Sequence, residues 1–335
     1  MPVVATNVPK SRLDAYGVNF PDGWEVRMVQ SPYDDQTMID NCRGADILFV
    51  NSVDPISAAV IEAAPSLRYI QVEGVGFNNV DVEAATNSGL PVCNNQGVNA
   101  MSVAEFTVGL MLASLRRMFP TDREIKAGRF LECQKAYRAR GVYEMKSRTI
   151  GLIGCGAIGR NVARMLMPFG CRLVYFDEFR PTLEVEQELY LTYLPLDDLI
   201  KESDIISLHV PVLPQTINMI SKAQLELMKP SAIVVNTSRG EVLDQRALAE
   251  ILESGRIYGA AIDTISPEPP QPDHPLLHLS PEAQDRLLVT PHVAGTTNEA
   301  FTDMLVRSMA NMERAFSGEK LQSVVNGVTE VRAPK

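Results

Sequence analysis

Three side chains in the second half of the chain are of types that together could move a hydride and a proton. Arg239 lies in Asn236-Thr237-Ser238-Arg239-Gly240, and Glu268 in Asp263-Thr264-Ile265-Ser266-Pro267-Glu268-Pro269. His292 lies in Thr290-Pro291-His292-Val293-Ala294-Gly295. Hydride chemistry on a carbonyl needs a cation to hold and polarise the substrate, a group that carries the proton, and a neighbour that tunes it. A guanidinium suits the first task, because its rigid fork binds a carboxylate bidentately and stays charged. An imidazole suits the second, and an acid beside it stabilises the imidazolium by charge and hydrogen bond. Taken singly, the three read as a surface charge, a solvated loop acid and a satisfied loop histidine. Their placement sets them apart: each follows a short β-branched run, at Ile233–Asn236, Tyr258–Ile262 and Leu287–Thr290. In an open parallel sheet, ligands bind beyond the carboxyl ends of the strands.

A partner for such chemistry is written further upstream. Thr149–Ile153 reads as a strand, and Gly154-Cys155-Gly156-Ala157-Ile158-Gly159 turns it into a helix. In this G-x-G-x-x-G context Gly154 permits the tight turn, Gly156 lets the backbone approach a pyrophosphate, and Gly159 lets helix pack on strand. The free amides near Ala157 and Ile158 would meet the phosphates, where the helix dipole favours anions. The next strand ends in Asp177, 18 residues beyond Gly159. A carboxylate there accepts hydrogen bonds from the adenosine ribose hydroxyls and repels a 2′-phosphate, which predicts NAD rather than NADP. Arg180, three residues on, is the nearby cation that such a phosphate would need. A second glycine cluster, Glu73-Gly74-Val75-Gly76, also follows a strand, but Asn79 stands where a third glycine belongs. It is not a second dinucleotide site. It reads either as a nest of amides for a carboxylate or as a plain turn.

The elements that must position these residues alternate strand with helix. Candidate strands at Thr149–Ile153, Leu173–Phe176, Ile205–Leu208, Ile233–Asn236, Tyr258–Ile262 and Leu287–Thr290 start roughly 25 to 30 residues apart, about one βαβ unit each. Together they predict one doubly wound domain. Helices at Ala157–Met167 and Asp244–Glu253 fit the 3.6-residue period, the second stopped by Gly255. A smaller α/β pattern precedes them, with strands at Val3–Thr6, Ile47–Asn51, Leu67–Val72 and Pro91–Asn94. Ser102-Val103-Ala104-Glu105 predicts a capping box at the head of a long helix, and a further helix is expected over Thr121–Ala127. A last helix, about Thr297–Phe316, could pack on either domain by pattern alone.

Composition bounds the function. Some 335 residues make about two domains. A net charge of −10 argues against a nucleic-acid partner, because an acidic surface repels phosphate backbones. No apolar run reaches the ~18 residues of a membrane span, and the first residues lack a secretory pattern, so no membrane role is expected. The five cysteines, Cys42, Cys93, Cys133, Cys155 and Cys171, form no C-x-x-C pair and predict reduced thiols and a cytoplasmic location. His274 and His278 have metal-like spacing but sit in a proline-rich stretch unsuited to a helix, so no metal site is expected.

Taken together, the chain resembles the D-isomer-specific 2-hydroxyacid dehydrogenases, a family that includes D-lactate, D-glycerate and D-3-phosphoglycerate dehydrogenases. The likeness runs from the Gly74-Val75-Gly76 loop to Thr290-Pro291-His292. It rests on an Arg after Asn-Thr-Ser, an Asp with Glu-Pro five residues on, and Thr-Pro-His. The resemblance implies catalytic roles for Arg239, Glu268 and His292, with Val75 and Gly76 offering amides to the substrate carboxylate. It also implies that Asp263 bonds the nicotinamide carboxamide, that His209, Val210 and Pro211 line the adenine side, and that Thr237, Ser238 and Gly295 complete the cofactor contacts. The implied fold is α/β with two doubly wound domains and a cleft between them. Residues 1–100 and 297–335 would form a smaller flavodoxin-like substrate domain, and 101–296 a Rossmann NAD-binding domain. In such enzymes the helical insertion after Ser102 builds a dimer interface, so a homodimer is expected. The implied reaction interconverts a 2-keto acid and a D-2-hydroxy acid.

Two rivals are separable. Related formate dehydrogenases carry Gln where Glu268 stands, so the acid favours a keto or hydroxy substrate. An NAD(H)-sensing binding protein, like the dehydrogenase-like corepressors, would bind nucleotide without turnover. Phosphoglycerate dehydrogenases typically place a basic residue on the loop after Ile47–Asn51; here Ser52-Val53-Asp54-Pro55 supplies an acid, which lowers the standing of a phosphorylated substrate. No role is assigned to Ser280–Arg286.

Overall fold

The computed structural model describes residues 1–333, which divide into two compact units. One comprises Met1–Asn99 together with the chain from Thr296 onward, and the other is Ala100–Gly295. The second unit is therefore inserted into the first: the chain leaves at Asn99 and returns at Thr296.

The first unit is built on a five-stranded parallel sheet. Its strands are β1 (Val3–Thr6), β2 (Glu25–Met28), β3 (Ile47–Val50), β4 (Tyr69–Val72) and β5 (Val92–Cys93), in the order β2-β1-β3-β4-β5. This is the flavodoxin-like winding. β3 and β4 are buried on both faces, which is why they read as unbroken apolar runs rather than alternating ones. One face packs Leu48, Val50, Ile70 and Val72 under the helices Asp35–Cys42, Ala58–Glu62 and Val82–Asn87. The other face packs Val4, Ile47, Phe49 and Tyr69 against Leu305, Met309, Met312 and Ala315 of the helix Asn298–Ser317. The last helix, which its pattern leaves free to join either domain, thus belongs to this unit.

The second unit carries seven parallel strands: β6 (Thr149–Ile153), β7 (Arg172–Phe176), β8 (Leu191–Tyr193), β9 (Ile205–Leu208), β10 (Ile233–Asn236), β11 (Gly259–Ile262) and β12 (Leu287–Val289). Their order is β12-β11-β10-β9-β6-β7-β8, the dinucleotide-binding winding with a seventh strand added at one edge. The direction of winding reverses between β6 and β9, which defines the switch point where such sheets open a crevice. The long helix Ala100–Leu115 packs Ala104, Val108, Met111 and Leu115 into one core with Val162, Ala163 and Leu166 of the helix Ala157–Leu166. It starts two residues ahead of the expected capping box, because the turn through 96–99 runs straight into it and Ser102 falls inside the first turn. Two helices follow, Met118–Lys126 and Phe130–Arg140, where one is expected from the sequence. Among the described residues no helix is long and apolar enough to cross a membrane.

Candidate active site

In the second unit the chemistry-bearing residues line up along one edge of the sheet. Arg239, Glu268 and His292 lie on the loops after β10, β11 and β12, which are successive neighbours. His209 follows β9, the glycine turn follows β6, and Asp177 follows β7. Parallel strands stand about 4.8 Å apart, so six adjacent strand ends form a continuous row.

His292 and Glu268 meet directly. The ring Nδ1 lies 2.9 Å from Glu268 Oε1 and 2.8 Å from Oε2. An ionised carboxylate only accepts, so Nδ1 carries a proton and Nε2 is left to exchange one. The side chains are 38% and 48% exposed. A contact that open contributes little to stability, on the order of 0–1 kcal/mol. The histidine is held by its backbone as well: φ is 53°, in the left-handed region, and its amide donates to Asp263 O at 2.8 Å. Asp263 is 1% exposed and organises the loop beyond β12. It accepts hydrogen bonds from Thr290 Oγ1 (2.5 Å), Val293 N (3.0 Å) and Ala294 N (2.9 Å). Gly295 ends the same loop, half-buried.

Arg239 is half-buried, with Nη1 donating to Ser238 O at 2.7 Å. Asn236 shapes its turn, donating from Nδ2 to Arg239 O (2.8 Å) while Oδ1 accepts from Ser238 N and Oγ (3.0 and 2.8 Å). The Ser238 hydroxyl is thereby spent inside the protein. The Thr237 hydroxyl lies 2.8 Å from that of Thr107, on the long helix, which itself donates to Val103 O at 2.7 Å. Toward a cofactor, Thr237 and Ser238 therefore offer backbone groups and hydroxyl lone pairs rather than hydroxyl protons.

The glycine turn has the shape its spacing predicts. A Cβ on Gly159 would sit 2.2 Å from Gly154 O, and one on Gly154, where φ is +101°, would sit 2.6 Å from His209 O. A Cβ on Gly156 would meet nothing within 4 Å, so the missing side chain leaves room rather than relieving a clash. The first amides of the helix Ala157–Leu166 have no partner within a helix, so a pyrophosphate fits this cradle by space and by charge. Asp177 closes the turn: Oδ2 accepts from Cys155 N at 2.6 Å and Oδ1 from Phe179 N at 2.9 Å. Arg180 is committed elsewhere, 2.8 Å from Glu186 and 4.5 Å above the Tyr193 ring. His209 sits against the turn with Nε2 2.9 Å from Ser207 Oγ and Nδ1 buried without a partner among the described residues. Burial pushes its pKa down to about 4. Val210 continues beside Gly154, and Pro211 O accepts from Thr216 Oγ1 at 2.6 Å.

In the first unit, two asparagines order the loop after β4. Asn95 Nδ2 donates to Glu73 O (2.6 Å), Asn95 N to Gly74 O (2.9 Å) and Asn94 Nδ2 to Val75 O (2.6 Å). Three successive carbonyls point toward the asparagines, so the Gly74, Val75 and Gly76 amides point away. These amides have no partner among the described residues. Adjacent unpaired amides are what a nest would offer an anion. The sequence reading missed Asn94 and Asn95, although two adjacent side-chain amides just after a short strand are a signal. Glu73, beside the nest, is pushed up in pKa by burial, against the pull of Arg12 at 2.7 Å.

His274 and His278 do not converge. His274 Nδ1 accepts from Leu276 N at 3.3 Å, and His278 Nε2 donates to Pro272 O at 2.5 Å. Among the described residues no group of three metal-ligating side chains gathers.

The chain is similar to known proteins along most of its length. The family model for the D-isomer specific 2-hydroxyacid dehydrogenase NAD binding domain matches residues 108–294. The chain is 38% identical to a glyoxylate reductase of Korarchaeum cryptofilum, over 99% of this chain and 97% of that one. It is 38% identical to a hydroxypyruvate reductase of Thermotoga maritima, over 76% of this chain and 79% of the relative. Among solved structures, the apo D-mandelate dehydrogenase of Rhodotorula graminis superposes with a TM-score of 0.87 at 25% identity, covering 100% of this chain and 99% of that one. The matching domain spans more than half of the chain, and with it the protein belongs to the D-isomer specific 2-hydroxyacid dehydrogenase family.

Proposed function

We propose that the protein reduces a small, unphosphorylated 2-keto acid to the D-2-hydroxy acid, consuming NADH and one proton, and catalyses the reverse oxidation. The observation that carries this reading is the His292–Glu268 contact at 2.8 and 2.9 Å, on loops next to that of Arg239. Bound NADH supplies the hydride that C2 of the substrate receives. Arg239 pairs with the substrate carboxylate and keto oxygen and draws electron density from C2 as charge builds on the oxygen. His292 gives its Nε2 proton to the developing alkoxide, while Glu268 stabilises the imidazolium beforehand. The Val75 and Gly76 amides are assigned to a carboxylate, and Asp263 would hold the carboxamide of a bound nicotinamide.

Glyoxylate and hydroxypyruvate are the first substrates to try, since relatives carry those names. Asp54 supports an unphosphorylated substrate: the acid is held on its loop by Asn51 Nδ2 (2.8 Å) and Ser31 Oγ (3.0 Å), and a phosphate nearby would be repelled. Asp177 beside the glycine turn supports NAD over NADP, as does the engagement of Arg180 by Glu186. Met118, Phe119, Phe130 and Leu131 are all more than half exposed on two consecutive helices, which supports a homodimer through that surface. The five unpaired thiols suit a reducing compartment such as the cytoplasm.

The test is an NADH-oxidation panel over glyoxylate, pyruvate, hydroxypyruvate, phosphohydroxypyruvate and branched and aromatic keto acids. Turnover of a small keto acid is expected; tight NADH binding with no turnover anywhere would point to a nucleotide sensor instead. Glu268→Gln should lower the reduction rate more above neutral pH than below it, because the imidazolium loses its counter-charge where protons are scarce. A kcat/KM profile unchanged in shape would remove Glu268 from the proton relay.

A further inference from the structure

Arg239 and Glu268 sit on different loops, 29 residues apart in sequence, and must keep a fixed separation if both are to serve one substrate. Their loops abut backbone to backbone. A Cβ on Gly240 would lie 2.5 Å from Ser266 N and 2.6 Å from Ile265 C, so no side chain fits between them. One side chain bridges the seam. Gln245 Nε2 donates to Gly240 O (3.3 Å) and to Ser266 O (3.2 Å), while Gln245 Oε1 accepts from Ser266 N (3.3 Å). Gly240 directly follows Arg239, and Ser266 precedes Glu268 by two residues.

The loop has few other anchors. Pro267, Pro269, Pro270 and Pro272 carry no N–H, so Ser266 holds one of the few backbone donors in this stretch, and Gln245 takes it. Gln245 is itself well fixed. It is the first residue of the helix Gln245–Glu253, whose start is capped by Asp244 accepting from Ala247 N at 3.0 Å. A rigid helix end thus holds both loops through a single amide, which needs a donor and an acceptor on the same side chain.

We propose that Gln245 is a positioning residue of the reaction, setting the distance between Arg239 and the Glu268–His292 pair. The assignment rests on the catalytic reading of those three residues given above. Gln245 touches neither substrate nor cofactor; it acts through the two loops. Removing the staple frees the Glu268 loop to drift from His292 and from Arg239, and a displacement of about 1 Å at a reacting group can cost up to ~100-fold in rate.

Three variants separate hydrogen bonding from packing. Gln245→Met keeps the volume and helix propensity but neither donor nor acceptor. Gln245→Glu keeps the acceptor but turns a carboxylate toward two carbonyls. Gln245→Ala removes everything. In the intact enzyme, all three should lower kcat for keto-acid reduction by roughly ten- to a hundredfold with KM for NADH little changed. The pH profile of each should come to resemble that of Glu268→Gln. Hydrogen exchange at the Ser266 amide, read without any turnover, should quicken at least about tenfold in the Met and Ala variants, which lose the acceptor, and less in the Glu variant, which keeps it. Wild-type kcat and pH profile in Gln245→Met would overturn the proposal, as would unchanged exchange at Ser266. Faster exchange with kcat and pH profile intact would leave only a structural bond and equally overturn it. Should the wild-type enzyme reduce no keto acid at all, the catalytic reading fails and takes the positioning role with it, while the exchange data still report on the bond itself.

Discussion

At the scale of single residues, the site depends on one buried acid. A non-glycine residue in the left-handed region costs roughly 1–3 kcal/mol and persists only where its surroundings dictate it. For His292 they do: Asp263 receives the histidine amide on its own carbonyl, and its carboxylate gathers Thr290, Val293 and Ala294. In Asp263→Asn, one carboxylate oxygen becomes an NH2 that faces a donor. The expected result is a drop in kcat of roughly ten- to a hundredfold and a melting temperature lower by roughly 5 °C, read by steady-state kinetics and calorimetry. His209 makes a prediction about stability. Its pKa is about 4 in the folded protein and ordinarily 6.5, so between those values the unfolded chain binds more protons. Stability is therefore fully present above pH 6.5 and is lost as pH falls toward 4, by about 2 kcal/mol at pH 5. His209→Gln should flatten that loss in urea unfolding compared at pH 7 and pH 5. Residue type and loop context single out Arg239, Glu268 and His292 in the sequence, and the structure sets His292 against Glu268. Gln245 was not legible, because its importance lies in the Ser266 backbone it meets 21 residues away. Asn94 and Asn95 left a local signal, but the carbonyls they meet lie 19 to 209 residues away.

At the scale of elements, the glycine turn is the most constrained feature. Gly159 has an ordinary φ, so its requirement is one of space rather than backbone conformation. Gly159→Ala should push the helix Ala157–Leu166 off β6 and weaken NADH binding by at least about tenfold in a fluorescence titration, since the phosphate-facing amides move with the helix. An alanine variant with wild-type affinity would show that the turn yields without cost. The buried strands were readable as apolar runs because both faces of each parallel sheet are covered. β2 and β8 were not. Both are edge strands; β2 shows Glu25 and Met28 to solvent and β8 shows Thr192, so neither alternation nor an apolar run betrays them. The helix Phe130–Arg140 was hidden for a related reason, with Cys133 its one buried residue.

At the scale of the whole molecule, the proposed homodimer would cover the exposed apolar side chains of the helices Met118–Lys126 and Phe130–Arg140. Replacing Phe119 and Leu131 together by Asp should convert a dimer to a monomer in analytical ultracentrifugation; unaltered sedimentation would place the interface elsewhere. The interruption of the first unit has its own consequence during synthesis. Its sheet is spelled out before Asn99, but the helix that covers Val4, Ile47, Phe49 and Tyr69 is encoded after Thr296. A ribosome adding about 5–20 residues per second needs roughly 10–40 s to cross the intervening stretch. Throughout that interval the nascent amino-terminal sheet waits with one greasy side bare, while the younger segment can already finish folding, so the part made first is completed last.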